Sequence, residues 1–282
     1  MKPAHAPDVL DALGQALPLP HARAAEPGPA GALAAALLES NPPPSALGER
    51  LLARVRAQRA AHAPMVTYRQ PLQQTAAEAW GPGVQARRLH GHSWLVDLAA
   101  DTRVPGHMMD GALEMLVLKG EVRFSDGRHL GACGHALTPG VPGLRAAGST
   151  RLYWREHRSG PFSAPAQALL QTPQAWQPLR EGVEICPLYG EGAAVSLLAR
   201  FAAGGRVPAH PHGLDEECLM VQGELFLADV LLPEGGFQYA PAGSQHGELL
   251  ADTPCLLFFH GAIDPAAIDN PFRQAQGWPA LA

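Results

Sequence analysis

The sequence predicts a mainly β protein: two tandem β-barrels preceded by a short helical segment. Three observations predict it. Turn-forming residues are dense, with 30 Gly and 28 Pro in 282 residues, which suits many short elements better than a few long helices. From residue 63 onward, short apolar runs of strand length stand between Gly, Pro, Asp and Asn. A stretch of the first half also recurs in the second half at a constant offset, the mark of an internal duplication.

Composition sets the outer limits. Hydrophobic residues make up 46% and charged residues 17%, which permits globular cores and argues against global disorder. The length is enough for two compact domains. A net charge of −5 argues against non-specific nucleic-acid binding as the main role. Cys133, Cys186, Cys218 and Cys255 form no C-x-x-C pair, so neither a zinc ribbon nor a disulfide framework is expected. The opening residues lack the charged start and apolar core of a signal peptide. The apolar run Ala32–Leu38 is too short to span a bilayer. The expectation is a soluble, cytoplasmic protein with neither nucleic acid nor membrane as partner.

Residues 1–62 read as a helical segment with a Pro-rich linker. A short helical stretch, Ala30–Glu39, stops at Asn41-Pro42-Pro43-Pro44. A second helix runs from about Ser45 to His62, with Ser45 as N-cap. Its Leu47, Leu51 and Val55 recur at four-residue spacing beside Leu52, an amphipathic pattern. Arg50, Arg54, Arg56 and Arg59 form its solvated face.

Two barrels follow, at 63–160 and 161–282. Ser93–Leu98, Glu114–Leu118, Val195–Phe201, Cys218–Val221 and Cys255–Phe259 read as strands. Arg103-Val104-Pro105-Gly106-His107 is followed by Glu114 and Gly120-Glu121. Arg206-Val207-Pro208-Ala209-His210 is followed by Glu217 and Gly223-Glu224, each 103 residues later. Pro139 corresponds to Pro241 after a small length change, and Trp80 with Gly83-Val84 resembles Trp176 with Gly182-Val183.

The second copy carries a metal constellation. In a strand, His210 and His212 point to one face with Cα atoms about 6.5–7 Å apart, so two imidazoles can converge on one ion. Glu216 shares that face if the strand is continuous, and Glu217 faces the other way. A bulge at Gly213 would reverse the choice. His246 follows Pro241-Ala242-Gly243, a turn that can re-aim the chain toward the barrel mouth. Imidazoles with a carboxylate suit one divalent transition metal: Zn, Fe, Mn, Ni or Cu.

Spacing narrows this further. Gly204 stands six residues before His210, then come H-x-H, three residues, Glu216, six residues and Gly223. A second block reads Gly235, five residues, Pro241-x-Gly243, two residues, His246. These resemble the two blocks of the cupin family, G-x5-H-x-H-x3-4-E-x6-G and G-x5-P-x-G-x2-H. The usual terminal Asn is replaced by Leu250. The resemblance implies tandem cupin (jelly-roll type) barrels. Within it, His-Pro-His-Gly-Leu-Asp-Glu-Glu followed by V-x-G-E resembles the cupin domain of ChrR-type anti-sigma factors, which implies the first Glu, Glu216, as ligand. The segment from Pro42 to Val55 resembles the linker and helix before that domain. Such proteins also carry an N-terminal zinc domain with an H-x3-C-x2-C motif, and residues 1–65 here contain no cysteine.

In the first barrel the same register places Met109 at the position of His212 and Leu113 at that of Glu216. Aligning on Pro139 puts Leu144 near the position of His246, leaving His107 and Glu114. That barrel is expected to hold no tight metal. Cys218 shares parity with Glu216 and reads as a buried structural cysteine. Glu217 and Glu248 flank the ligands, placed either to hold an imidazole tautomer or to lie at the surface. Tyr239, Phe226, Phe258 and His260 are expected in the packing of the second barrel, and His5, His21 and His62 at the surface.

Besides a purely structural role in which the metal stabilises the fold, two functions suit this pattern. One, implied by the ChrR resemblance, is a metal-binding regulatory or sensor protein whose cupin senses a small molecule or oxidant and whose N-terminal helices contact a sigma factor. The other is a dioxygenase-type enzyme acting on a diketone-like or hydroxyketone-like substrate, with the metal as template and Lewis acid. A homodimer is expected in either case.

Overall fold

The computed structural model describes residues 47–158 and 162–268. The expected stretch Ala30–Glu39, the Pro-rich linker, Ser45, His5 and His21 lie outside the described residues. The chain divides into two compact units, Met1–Ala57 and Gln58–Ala282. The second contains both barrels.

Helix α1 spans Leu47–His62. On its apolar stripe, Leu51 is 54%, Leu52 54% and Val55 41% exposed. His62, expected at the surface, is half-buried, and burial followed by the nearby His246 lowers its pKa. No helix among the described residues is long and apolar enough to cross a membrane.

The first half forms β1 (Val66–Tyr68), helix α2 (Pro71–Gln74), β2 (Ala77–Gly81), β3 (Val84–His90), β4 (Ser93–Leu98), β5 (Arg103–Val104) and β6 (His107–Lys119). Then come β7 (Val122–Phe124), β8 (His129–Leu130), β9 (His135–Val141), β10 (Leu144–Ala146) and β11 (Thr150–His157); β12 (Leu169–Gln171) opens the second half. The second half forms β13 (Gln177–Arg180), β14 (Val183–Glu191), β15 (Ala194–Phe201), β16 (Arg206–Val207), β17 (His210–Pro211) and β18 (Glu216–Gln222). It ends with β19 (Glu224–Leu227), β20 (Val230–Pro233), β21 (Phe237–Ala240), β22 (Gln245–His246), β23 (Leu249–Leu250) and β24 (Cys255–Gly261).

The duplication is plain in the sheets. One seven-stranded sheet runs β12-β9-β6-β11-β4-β3-β2 and the other β1-β21-β18-β24-β15-β14-β13. Four-stranded sheets β5-β10-β7-β8 and β16-β23-β19-β20 complete the two barrels. The tight turns at the repeated glycines need a left-handed backbone, with φ +73° at Gly83 and +70° at Gly182. Each large sheet takes its edge strand from the other half. Val66–Tyr68 pairs with Phe237–Tyr239, and Leu169–Gln171 pairs with His135–Leu137.

The central strands of each large sheet are buried on both faces, which explains why they read as continuous apolar runs. Along β11, Leu152 and Trp154 face the interior of the first barrel. Tyr153, between them, joins a separate core shared with the second barrel. That seam is built from matching registers. Leu95, Tyr153 and Leu116 lie side by side on β4, β11 and β6, and Leu198, Phe258 and Leu219 on β15, β24 and β18. The Tyr153 and Phe258 rings meet at 5.0 Å. The next matching register is polar: Ser93, Arg155 and Glu114 on one sheet, Ser196, His260 and Glu217 on the other.

Across the seam, Glu217 is held by the first barrel. Ser93 Oγ donates to it at 2.9 Å and Tyr153 OH at 2.6 Å, and Arg155 forms an ion pair with it. A buried carboxylate persists only when paired and hydrogen-bonded in this way. Arg155→Ala, by stranding Glu217, is expected to lower unfolding stability by about 3–5 kcal/mol in denaturant titration. Arg155→Met combined with Glu217→Leu should recover most of the loss. Equal losses in the single and double variants would contradict this pairing.

Candidate metal centre

The four sequence-identified donors meet in the second barrel. The strand expected to run through His210, His212 and Glu216 is broken: β17 ends at Pro211 and β18 begins at Glu216. Parity along one continuous strand is therefore not the cause of their convergence. His210 is set by pairing in register with His246 on β22. His212 is set by main-chain bonds to the Pro241–Ser244 turn, where its N–H donates to Ser244 O and Gly243 N–H donates to its carbonyl, both 2.9 Å. That turn needs Gly243, with φ +81°. Asp215 closes it from the other side by accepting the Ala242 N–H at 2.9 Å.

The four side chains are buried, His210 8%, His212 3%, Glu216 3% and His246 1% exposed. One donor atom each from His210, His212 and Glu216 lie within 4.8 Å of one another. His246 Nε2 is 3.3 Å and His212 Nε2 3.8 Å from the Glu216 carboxylate. The His212 and His246 rings are 4.6 Å apart. Donors that share an ion at about 2 Å stand at such separations.

Hydrogen bonds orient the rings. His210 Nδ1 meets Pro208 O at 2.8 Å, and His212 Nδ1 meets Ser244 Oγ at 2.8 Å. Each arrangement turns Nε2 toward Glu216, the usual way outer groups set a ligand imidazole. Nε2 of both His212 and His246 is buried without a hydrogen bond of acceptable geometry. Buried polar atoms without partners are costly, so these nitrogens and the carboxylate fit a cation that completes them. Burial above all, with the neighbouring imidazoles, lowers the His212 pKa to about 4, which leaves its lone pair free at neutral pH. Burial pushes the Glu216 carboxyl up, but its bond to His246 and the surrounding imidazoles outweigh that and hold it below its ordinary value.

Glu216 rather than Glu217 faces this centre. Cys218 lies on the same side, and its Sγ donates to Glu216 Oε1 at 3.4 Å. Burial, reinforced by that carboxylate, pushes the thiol well above its ordinary range, so it stays protonated. Glu248 is at the surface with Arg206, 3.2 Å away. Beside the donors lies a cavity of about 60 Å³. Its walls are almost wholly apolar and include Val207, Leu249, Leu257 and Phe259. Phe258 packs in the buried core of the seam, where His260 also lies, and Tyr239 stacks on His90 at 3.6 Å.

In the first barrel, Leu113 is fully buried in the apolar interior and Met109 packs against it. Pairing corrects one expected equivalence. His107 pairs with Val141 as His210 pairs with His246, so Val141 holds the fourth position. Leu144 lies on β10 in the small sheet. The length change between the copies had hidden this.

Sequence reasoning missed a second donor group, at the seam. Glu114 Oε1 is 2.8 Å from His135 Nε2, and its Oε2 is 3.0 Å from His157 Nε2. His260 Nδ1 lies 3.6 Å from the same Oε2. Burial pushes the Glu114 carboxyl up, but the bonds from His135 and His157 outweigh this and hold it well below its ordinary value. Burial and then Arg155 lower His260 to about 3. Its one sequence signal was the repeat that paired Glu114 with Glu217.

The fold is that of two tandem cupin-type barrels, with a candidate metal centre in the second. More particularly, residues 166–264 match the family model described as the ChrR Cupin-like domain. No curated protein matches the chain. Among solved structures it is similar to a Nostoc punctiforme protein held, by inference, to be a dioxygenase, with 13% identity, TM-score 0.58, covering 72% of this chain and 84% of that one. AerE from Microcystis aeruginosa matches at 14% identity and TM-score 0.54, over 67% and 97%. A variant of the Bacillus subtilis oxalate decarboxylase OxdC matches at 14% and 0.50, over 75% and 83%. At these identities the likeness is one of fold.

Ser244→Ala removes the hydrogen bond that orients His212. The metal-free protein is expected to lose about 0.5–1.5 kcal/mol in thermal or denaturant unfolding. An unchanged midpoint would show that Ser244 does not hold that ring.

Proposed function

We propose that the second barrel holds one divalent transition metal through His210, His212, Glu216 and His246, and that the protein is a ChrR-like regulatory protein in which this centre senses a small oxidant. The observation that carries the reading is four buried donors converging beside a small, apolar cavity. When bound, the metal supplies a Lewis acid with positions open to a small ligand. The chain does the rest. Pro208 and Ser244 fix two imidazoles, the apolar wall limits water, and Cys218 keeps its proton beside Glu216.

Cavity size favours sensing over turnover of an organic substrate. About 60 Å³ admits a few water-sized molecules. It falls well below the roughly 300 Å³ and more of ordinary small-molecule sites. A diketone-like substrate of a dioxygenase would need more room. The match of residues 166–264 to the ChrR Cupin-like domain supports the regulatory reading. The reading gives partner contact, with a protein of the sigma-factor kind, to the exposed Leu51, Leu52 and Val55 of α1.

Three measurements test it. His212→Ala should lose the barrel's metal in elemental analysis of the purified protein while keeping its β-rich circular dichroism. Pull-down from the native host should recover a protein partner that Leu51→Asp no longer holds. A wild-type protein that takes no metal in its barrel, or that recovers no partner, contradicts the reading. So does rapid oxygen uptake with Fe²⁺ and a diketone-like substrate that His246→Ala abolishes.

A further inference from the structure

The seam between the barrels carries metal-type donors of its own, drawn from both halves of the chain. Glu114 on β6, His135 on β9 and His157 on β11 belong to the first barrel's sheet, and His260 on β24 to the second's. They are 0%, 0%, 2% and 1% exposed. One donor atom each from Glu114, His157 and His260 lie within 4.8 Å of one another. The separations of 3.0 Å and 3.6 Å from Glu114 Oε2 to the two imidazoles match donors sharing one ion. Donors about 2 Å from a common tetrahedral ion lie about 3.3 Å apart.

Charge balance points the same way. Among the described residues, the ion-pair partners of Glu114 are all histidines. Arg155, the nearby guanidinium, is paired with Glu217. Two carboxylates therefore share one fixed cation in a buried seam, and a cation bound at Glu114 offsets the charge that Arg155 leaves uncompensated.

The surroundings are those of a built site. His135 takes the second oxygen of Glu114 at 2.8 Å, as outer groups do for ligand carboxylates. Phe162 packs against both imidazoles, its ring 4.8 Å from His157 and 5.0 Å from His260. Ser196 Oγ, 2.9 Å from His260 Nδ1, turns its hydroxyl away when that nitrogen takes an ion. His157 and His260 also line a cavity of about 560 Å³ whose other walls include His92, Arg155, Glu217 and Tyr239. Three protein donors below such a cavity leave a coordination position facing it.

We propose that Glu114, His157 and His260 form a second divalent transition-metal site at the floor of the seam cavity, with an open position for a small oxygen-donor ligand. It shares no ligand with the barrel centre and does not depend on the regulatory reading.

The test is metal stoichiometry of the chelator-stripped full chain reloaded with Zn²⁺ or Co²⁺ alone. Wild type is expected to take two equivalents, His212→Ala to keep one, and His260→Gln to keep one. Wild type with one equivalent that His212→Ala retains would support the seam site and sink the barrel site. Wild type with one equivalent that His212→Ala loses overturns the seam site. Should either variant fail to fold, anomalous scattering from a Zn²⁺-loaded wild-type crystal decides: a peak between Glu114, His157 and His260 supports the proposal, and no peak there overturns it.

Discussion

Everything in this molecule turns on one strand with two adjacent carboxylates on opposite, buried faces. On β18, Glu216 points into the second barrel toward three imidazoles, and Glu217 points into the seam toward Ser93, Tyr153 and Arg155. A carboxylate out of water needs positive charge or several donors. The strand therefore fixes where the donors must come from on each side. On one side they come from β17, β22 and the 212–215 turn; on the other they come from the neighbouring barrel.

This ties the barrels together energetically as well as geometrically. The repeated registers place a Leu, an aromatic ring and a Leu from each sheet face to face. One register further along, each sheet offers a serine, a basic group and a glutamate. The duplication has diverged there in an informative way, with Arg155 standing where the other copy has His260. Glu217 consequently receives a fixed cation. Glu114 is met by histidines, whose charge is not fixed and whose lone pairs can serve a metal. Inside the barrels the divergence is the reverse. The second copy keeps its imidazoles and Glu216, and the first has Met109, Leu113 and Val141 in the matching places.

Much of the barrel centre was legible in the sequence because its spacing is local. His210, His212 and Glu216 lie within one short stretch, and the Pro241-Ala242-Gly243 turn announces His246. The mechanism assumed for Glu216 was only partly right, since the strand breaks at 212–215 and the turn restores the facing. What could not be read is what depends on distant pairing. The exchange of β1 and β12 leaves no periodic trace, because an edge strand of three residues carries little pattern. The seam cluster joins residues 114, 135, 157 and 260, whose sequence distances give no ligand spacing. The apolar stripe of α1 was visible, but periodicity reports that a face exists and not what covers it.

The central claim is tested most directly by the metal content of two variants one residue apart. Glu216→Gln is predicted to lose the barrel's ion. Glu217→Gln is predicted to keep that ion and unfold more easily. The opposite pattern, with the ion lost from Glu217→Gln and retained by Glu216→Gln, would mean that the strand faces the other way and would contradict the account.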